Sequence, residues 1–86
     1  MKKQEIEVNV KGGEDSRLIA LLVQTANRYE SSVYIDVQTK HVNAKSIMGM
    51  MTLNLASGEE VTVIAEGSDE ESAVADLEKF LQGTQK

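Results

Sequence analysis

"EEVTVIAEGSDEESAVADLEKFLQG", Glu59 to Gly83, changes its hydrophobic period partway along. Before Gly67, the apolar residues Val61, Val63 and Ala65 fall at every second position, the repeat of a strand with one buried face. After it, Val74, Leu77 and Leu81 fall at helical spacing, with Ala73 and Phe80 widening the stripe. Ser68-x-x-Glu71 matches a capping box at the start of that helix, and Gly83 stands where a terminator is expected. A strand and a helix in succession, each with a single apolar side, form the unit of a sheet covered by helices on one face.

The same alternation and the same switch recur toward the N-terminus. Ile6, Val8 and Val10 alternate with Glu5, Glu7 and Asn9 until Gly12 and Gly13 end the strand. From Ser16 to about Tyr29 the spacing is helical, with Leu18, Leu22, Ala26 and Tyr29 near one face, joined by Ile19 and Leu21. Asp15 or Ser16 suits its N-cap. Val33, Ile35 and Val37 then mark a second strand, and a turn at Gln38 to Lys40 leads into the short strand "HVNA". Ser46 precedes a brief apolar run in which Gly49 lowers helix propensity by about 1 kcal/mol relative to alanine. One or two helical turns are expected there. The resulting order, β-α-β-β-(short α)-β-α, predicts a single α+β domain over 1–86, an open-faced sandwich with an antiparallel-type sheet.

Composition narrows the function. A chain of 86 residues has room for one core. Its 14 acidic residues outnumber 9 Lys and Arg, for a formal net charge of −5. Broad nucleic-acid binding depends on cations that neutralise phosphates, so direct nucleic-acid binding is not expected. The chain has no cysteine or tryptophan and few aromatics, which disfavours thiolate metal sites and stacking platforms for single strands. The start, "MKKQEIEVNV", lacks the continuous apolar core of a signal peptide, and no stretch reaches membrane-spanning length. A cytoplasmic protein without membrane attachment is the expectation.

Familiar catalytic patterns are missing. His41 is the single histidine, with no second imidazole or thiolate to build a metal site around it. No dinucleotide or P-loop glycine pattern is present. The acidic run "EGSDEES" lacks calcium-loop spacing and suits a helix N-terminus instead. No cofactor and no metal are expected. Two places stand out. At Gly13 to Arg17 a turn, a helix start and an arginine converge, as they do where anions bind, yet Glu14 and Asp15 already bring negative charge there. At Ser46 a helix start is followed by Ile47, Met48, Met50 and Met51. So short a helix cannot bury four large apolar residues in succession, so at least one or two of them should reach solvent as a partner-binding patch.

The block "NAKSIMGMM", Asn43 to Met51, is highly specific, and with "LLVQTANRYESSVYI", Leu21 to Ile35, it closely resembles the HPr family, the small phosphocarriers of the bacterial sugar phosphotransferase system. The likeness covers essentially the whole chain. It implies a βαββαβα fold, a four-stranded antiparallel sheet with three helices on one face. HPr proteins carry a stretch like G-x-H-A-R-P-A at the start of the first helix, whose histidine takes a phosphoryl group from enzyme I. Here the aligned residues are Gly13-Glu14-Asp15-Ser16-Arg17-Leu18-Ile19. Asp15 stands at the histidine's position and Leu18 at the proline's, so transfer through a phosphohistidine is not expected. As for Asp15 itself, two readings stand: a permanent stand-in for part of a phosphate's charge, or a plain helix cap.

Ser46 keeps its whole surrounding motif. In HPr proteins of Gram-positive type this serine is phosphorylated by an ATP-dependent HPr kinase/phosphorylase, and the phosphoserine form binds a LacI-type catabolite control repressor. The chain resembles the Crh-like subgroup, which lacks the active histidine and keeps the serine, although that subgroup usually has glutamine where Asp15 stands. The resemblance implies a non-enzymatic regulator of carbon catabolite control, with Arg17, Ile47, Met48 and Met51 as partner contacts. Its rivals are a phosphocarrier with an unusual acceptor such as Asp15, and a binding module that is never phosphorylated.

Overall fold

The computed structural model describes residues 1–9, 16–53 and 58–82. Along the chain it forms β1 (Lys2–Glu7), α1 (Ser16–Asn27), β2 (Ser32–Val37), β3 (Lys40–Asn43), α2 (Ile47–Met50), β4 (Glu60–Glu66) and α3 (Glu70–Leu81). The order is the expected one. The strands make one antiparallel sheet in the order β1-β4-β2-β3, so the last strand of the sequence lies between the first two.

Register puts the alternating apolar residues in rows on one face. Ile6 lies opposite Val61, Val63 opposite Ile35, and Ala65 opposite Val33, and each of these side chains is buried. The three helices cover this face. Leu18, Ile19, Leu22, Val23 and Ala26 of α1 meet Ala73, Val74, Leu77 and Leu81 of α3 and the strands in one continuous core. Full burial of a side chain such as Leu22 contributes about 1.5–3 kcal/mol, and in so small a domain few such positions are dispensable. Leu21, expected on the apolar stripe, is only half-buried, and Val23 takes its place. The i, i+4 rows 18-22-26 and 19-23 set the buried face, and Leu21 falls on its flank.

The other face of the sheet carries the polar partners in the alternation. His41 lies opposite Asp36 in the β2–β3 ladder, its Nδ1 pairs with the Asp36 carboxylate, and its ring stacks on Tyr34 with centroids 4.9 Å apart. It is therefore an exposed residue with defined neighbours. Val10, Asp15 and Gly83 lie outside the described residues, as do Gly12 and Gly13.

The start of α3 differs from the expected capping box. The helix begins one residue later, with Asp69 rather than Ser68 at the N-cap, and Glu70 rather than Glu71 reaches back, its Oε1 accepting the Gly67 N–H at 3.1 Å. The Asp69 side chain makes no bond to its own helix. It accepts instead from the Glu30 and Ser31 N–H groups, each at 3.0 Å, and from the Ser31 hydroxyl. Close packing dictates the shift. A Cβ on Gly67 would lie 2.5 Å from Ser31 Oγ and 2.6 Å from its Cα, and Gly67 has a φ of +155°. The lead-in to α3 is thus pressed against the turn after α1, and the nearest carboxylate is drawn there.

Candidate functional site

Ser46 is the N-cap of α2. Its backbone is extended, its carbonyl accepts the Met50 N–H at 2.9 Å, and its Oγ accepts the Gly49 N–H at 3.2 Å. The hydroxyl hydrogen is left to point elsewhere. The turn after the cap is short because Gly49 weakens it and because only Met50 has a core to enter. Met50 is fully buried, while Ile47 is 50%, Met48 80% and Met51 66% exposed. These three are the exposed large apolar residues other than Met1 among the described residues. A half-buried serine hydroxyl thus borders a patch of flexible thioethers, the kind of surface that adapts to a protein partner.

Both ends of this segment are tied to the rest of the fold. On the far side, Thr52 N–H and Oγ1 both donate to Gly49 O, and Lys40 Nζ donates to Thr52 O at 2.8 Å. On the near side, Ala44 N–H donates to Val33 O, Lys45 N–H to Asn43 Oδ1 and Ser46 N–H to Asn43 O. Lys45 Nζ crosses to the turn just after α1 and donates to Tyr29 O at 2.7 Å, while Asn27 Nδ2 donates to Lys45 O at 3.3 Å and to Val23 O at 2.9 Å. Asn27 and Lys45 both fall in the family-like blocks, but nothing in their spacing, 18 residues apart, shows that they meet. Only the asparagine at the end of an apolar helical run hints at such a role.

Arg17 is the second residue of α1, and Asp15 is outside the described residues. The single histidine is on β3, stacked on Tyr34 and paired with Asp36, in the polar face of the sheet. Among the described residues no group of three or more His, Cys, Asp or Glu side chains is placed to hold a metal ion. No described helix is long and apolar enough to cross a membrane.

Together these elements form a small βαββαβα sandwich in which a capped serine stands beside exposed methionines. The family model for the PTS HPr component phosphorylation site matches residues 2–83, and the chain belongs to the HPr family. It is similar to the HPr-like protein Crh of Bacillus subtilis, at 48% identity over 95% of this chain and 96% of that one. Among solved structures it resembles the phosphocarrier protein HPr of Bacillus anthracis, with a TM-score of 0.88 and 41% identity over 94% of this chain and 96% of that chain. It also resembles the crystal structure of Bacillus subtilis Crh, a catabolite repression protein described as a dimer with a swapped domain. There the TM-score is 0.73 and the identity 48%, over 95% of this chain and 94% of that chain.

Proposed function

We propose that this protein is a non-enzymatic, cytoplasmic regulator of carbon catabolite control. It is phosphorylated on Ser46 by an HPr kinase/phosphorylase, and the phosphorylated form acts as corepressor of a LacI-type catabolite control protein. The observation that carries this reading is the capped Ser46 hydroxyl beside the exposed side chains of Ile47, Met48 and Met51. In the modification, Ser46 Oγ forms a bond to the γ-phosphorus of ATP, ADP leaves, and a base of the kinase takes the hydroxyl proton.

The physical effect is local. The phosphate adds roughly −1.5 to −2 charges at neutral pH next to an apolar patch. Arginines of a repressor then find a bidentate anion and a pliable apolar surface side by side, Arg17 adding a further contact from α1. The same charge discourages acidic partners. Phosphohistidine transfer has no part in this reading, because Asp15 stands where the family's phosphorylated histidine would be and the single histidine, His41, belongs to β3.

Incubation with the kinase and ATP should add one phosphate by mass, and Ser46→Ala should abolish it. A wild-type protein left unmodified where an ordinary HPr is modified would sink the proposal. Incubation with enzyme I and phosphoenolpyruvate should leave the protein unlabelled. A transferable phosphate that disappears in Asp15→Ala would replace this reading with that of a phosphocarrier using an unusual acceptor.

A further inference from the structure

Helix α1 ends with no basic residue in its last turn. A helix C-terminus carries unsatisfied carbonyls and a partial negative charge, and a nearby cation stabilises it. Arg28 follows the helix directly, and a second cation comes from elsewhere in the chain. Lys45 donates its ammonium to Tyr29 O at 2.7 Å, just beyond the helix end, where Arg28 and Tyr29 tighten the last turn through bonds to Thr25 O and Ala26 O. Asn27 completes the link from the opposite direction. Its amide donates to Val23 O within α1 and to Lys45 O outside it, so a single side chain spans the two segments.

The carbonyl that Asn27 holds belongs to the residue immediately before Ser46. The Lys45–Ser46 peptide is therefore fixed on one side by α1 and on the other by Ser46's own bond to Gly49 N–H. The bonds of Lys45 N–H to Asn43 Oδ1 and Ser46 N–H to Asn43 O add rigidity within the segment but do not anchor it to a helix. The turn after α1 is anchored in its own right. Tyr29 OH donates to the Asp76 carboxylate of α3, and Asp69 holds Glu30 and Ser31.

We propose that Asn27 and Lys45 are positioning residues for Ser46: by clamping the residue before it to the C-terminal end of α1, they present its hydroxyl to a phosphorylating enzyme in a fixed orientation. The inference rests on the proposed phosphorylation of Ser46, which it deepens. Transfer of a phosphoryl group is sensitive to the placement of the attacking oxygen, and an error on the order of 1 Å can cost about 10²-fold in rate. A clamp on the adjacent peptide is the means by which this small domain limits that error.

The experiment has a kinetic arm and a kinase-independent arm. Asn27→Ala and Lys45→Met should each lower kcat/KM for Ser46 phosphorylation by HPr kinase/phosphorylase about tenfold at temperatures far below unfolding, mainly through kcat. Lys45→Arg, which keeps a donor for Tyr29 O, should restore most of the rate. Tyr29→Phe removes the bond to Asp76 on the other side of the same turn. It should lower stability while leaving kcat/KM within about twofold of wild type. In parallel, amide hydrogen exchange at Gly49, which reports its bond to Ser46 Oγ, should accelerate in Asn27→Ala and Lys45→Met and stay unchanged in Tyr29→Phe. Unchanged Gly49 exchange in both clamp variants overturns the proposal, as does a rate loss in Tyr29→Phe equal to theirs. If wild type itself is not phosphorylated, the proposed function fails, and the exchange measurement still decides whether the clamp orients Ser46.

Discussion

Helices α2 and α3 both start with a polar N-cap and a glycine nearby, yet the two starts use these residues in opposite ways. At α2, Ser46 spends its side chain on its own turn, and Gly49 has ordinary room around it, with Ser46 Oγ 3.5 Å from where a Cβ would sit. At α3, Asp69 ignores its own helix and binds the turn after α1, while Gly67 is pressed against Ser31. At α2 a single turn offers a core only to Met50, so Ile47, Met48 and Met51 stand in solvent. A cap drawn into tertiary contact locks the fold around it. The first start leaves large apolar side chains in solvent, the second holds two parts of the domain together.

The comparison can be broken at its glycines and sharpened at its caps. Gly67→Ala should have the largest effect, since a strained backbone and a clash with Ser31 together cost about 4 kcal/mol, read as a fall in the urea midpoint. Within α2 the contrast lies between neighbours. Met50→Ala should cost about 3 kcal/mol by emptying a buried site, whereas Met48→Ala should stay within about 0.5 kcal/mol of wild type. A similar loss for both would mean that the patch is not free surface.

Asp69 makes the α3 start sensitive to acid. The Ser31 hydroxyl, then the Glu30 N–H, hold its carboxyl below the usual carboxylate range, and the Gly67 N–H, then the N-terminal amino group, do the same for Glu70. With the folded pKa values below the unfolded ones, the unfolded chain takes up protons first as pH falls. The stability these groups contribute is therefore full above about pH 5 and is lost as pH drops through the folded values. Asp69→Asn should flatten the stability profile in that acidic window, measured by denaturant titration at several pH values, while Ser46→Ala should not change its shape. The smallest effect belongs to Gly49→Ala, which should leave stability within about 0.5 kcal/mol of wild type or slightly raise it, because alanine favours the helix and nothing crowds the new methyl.

Much of the fold was readable because its strands bury one face and keep the other polar. Val33, Ile35 and Val37, or Val61, Val63 and Ala65, announce themselves by period alone, and all six are buried. The capping box at Ser68 and Glu71 is off by one residue because a local pattern carries no information about Ser31, which touches the start of α3 but lies 38 residues earlier in the chain. The exposed patch at Ile47, Met48 and Met51 was legible from a different argument, namely that one turn of helix cannot turn four large side chains inward. Met50 as the buried member was not separable from Met51 by spacing. The meeting of Lys45 and Asn27 was invisible for a plainer reason: a cation supplied across space to the end of α1 leaves no trace in the spacing of that helix.

The sheet order has a consequence for synthesis. β4 is hydrogen-bonded to both β1 and β2, with Lys2 opposite Ala65 and Ser32 opposite Glu66. A nascent chain that has not yet delivered Glu60 to Glu66 therefore holds β1 with no strand to join, and the β2–β3 hairpin is the only part of the sheet it can close. Because β4 follows the other three strands in the sequence, the four-stranded sheet closes only after Glu60 to Glu66 has been made.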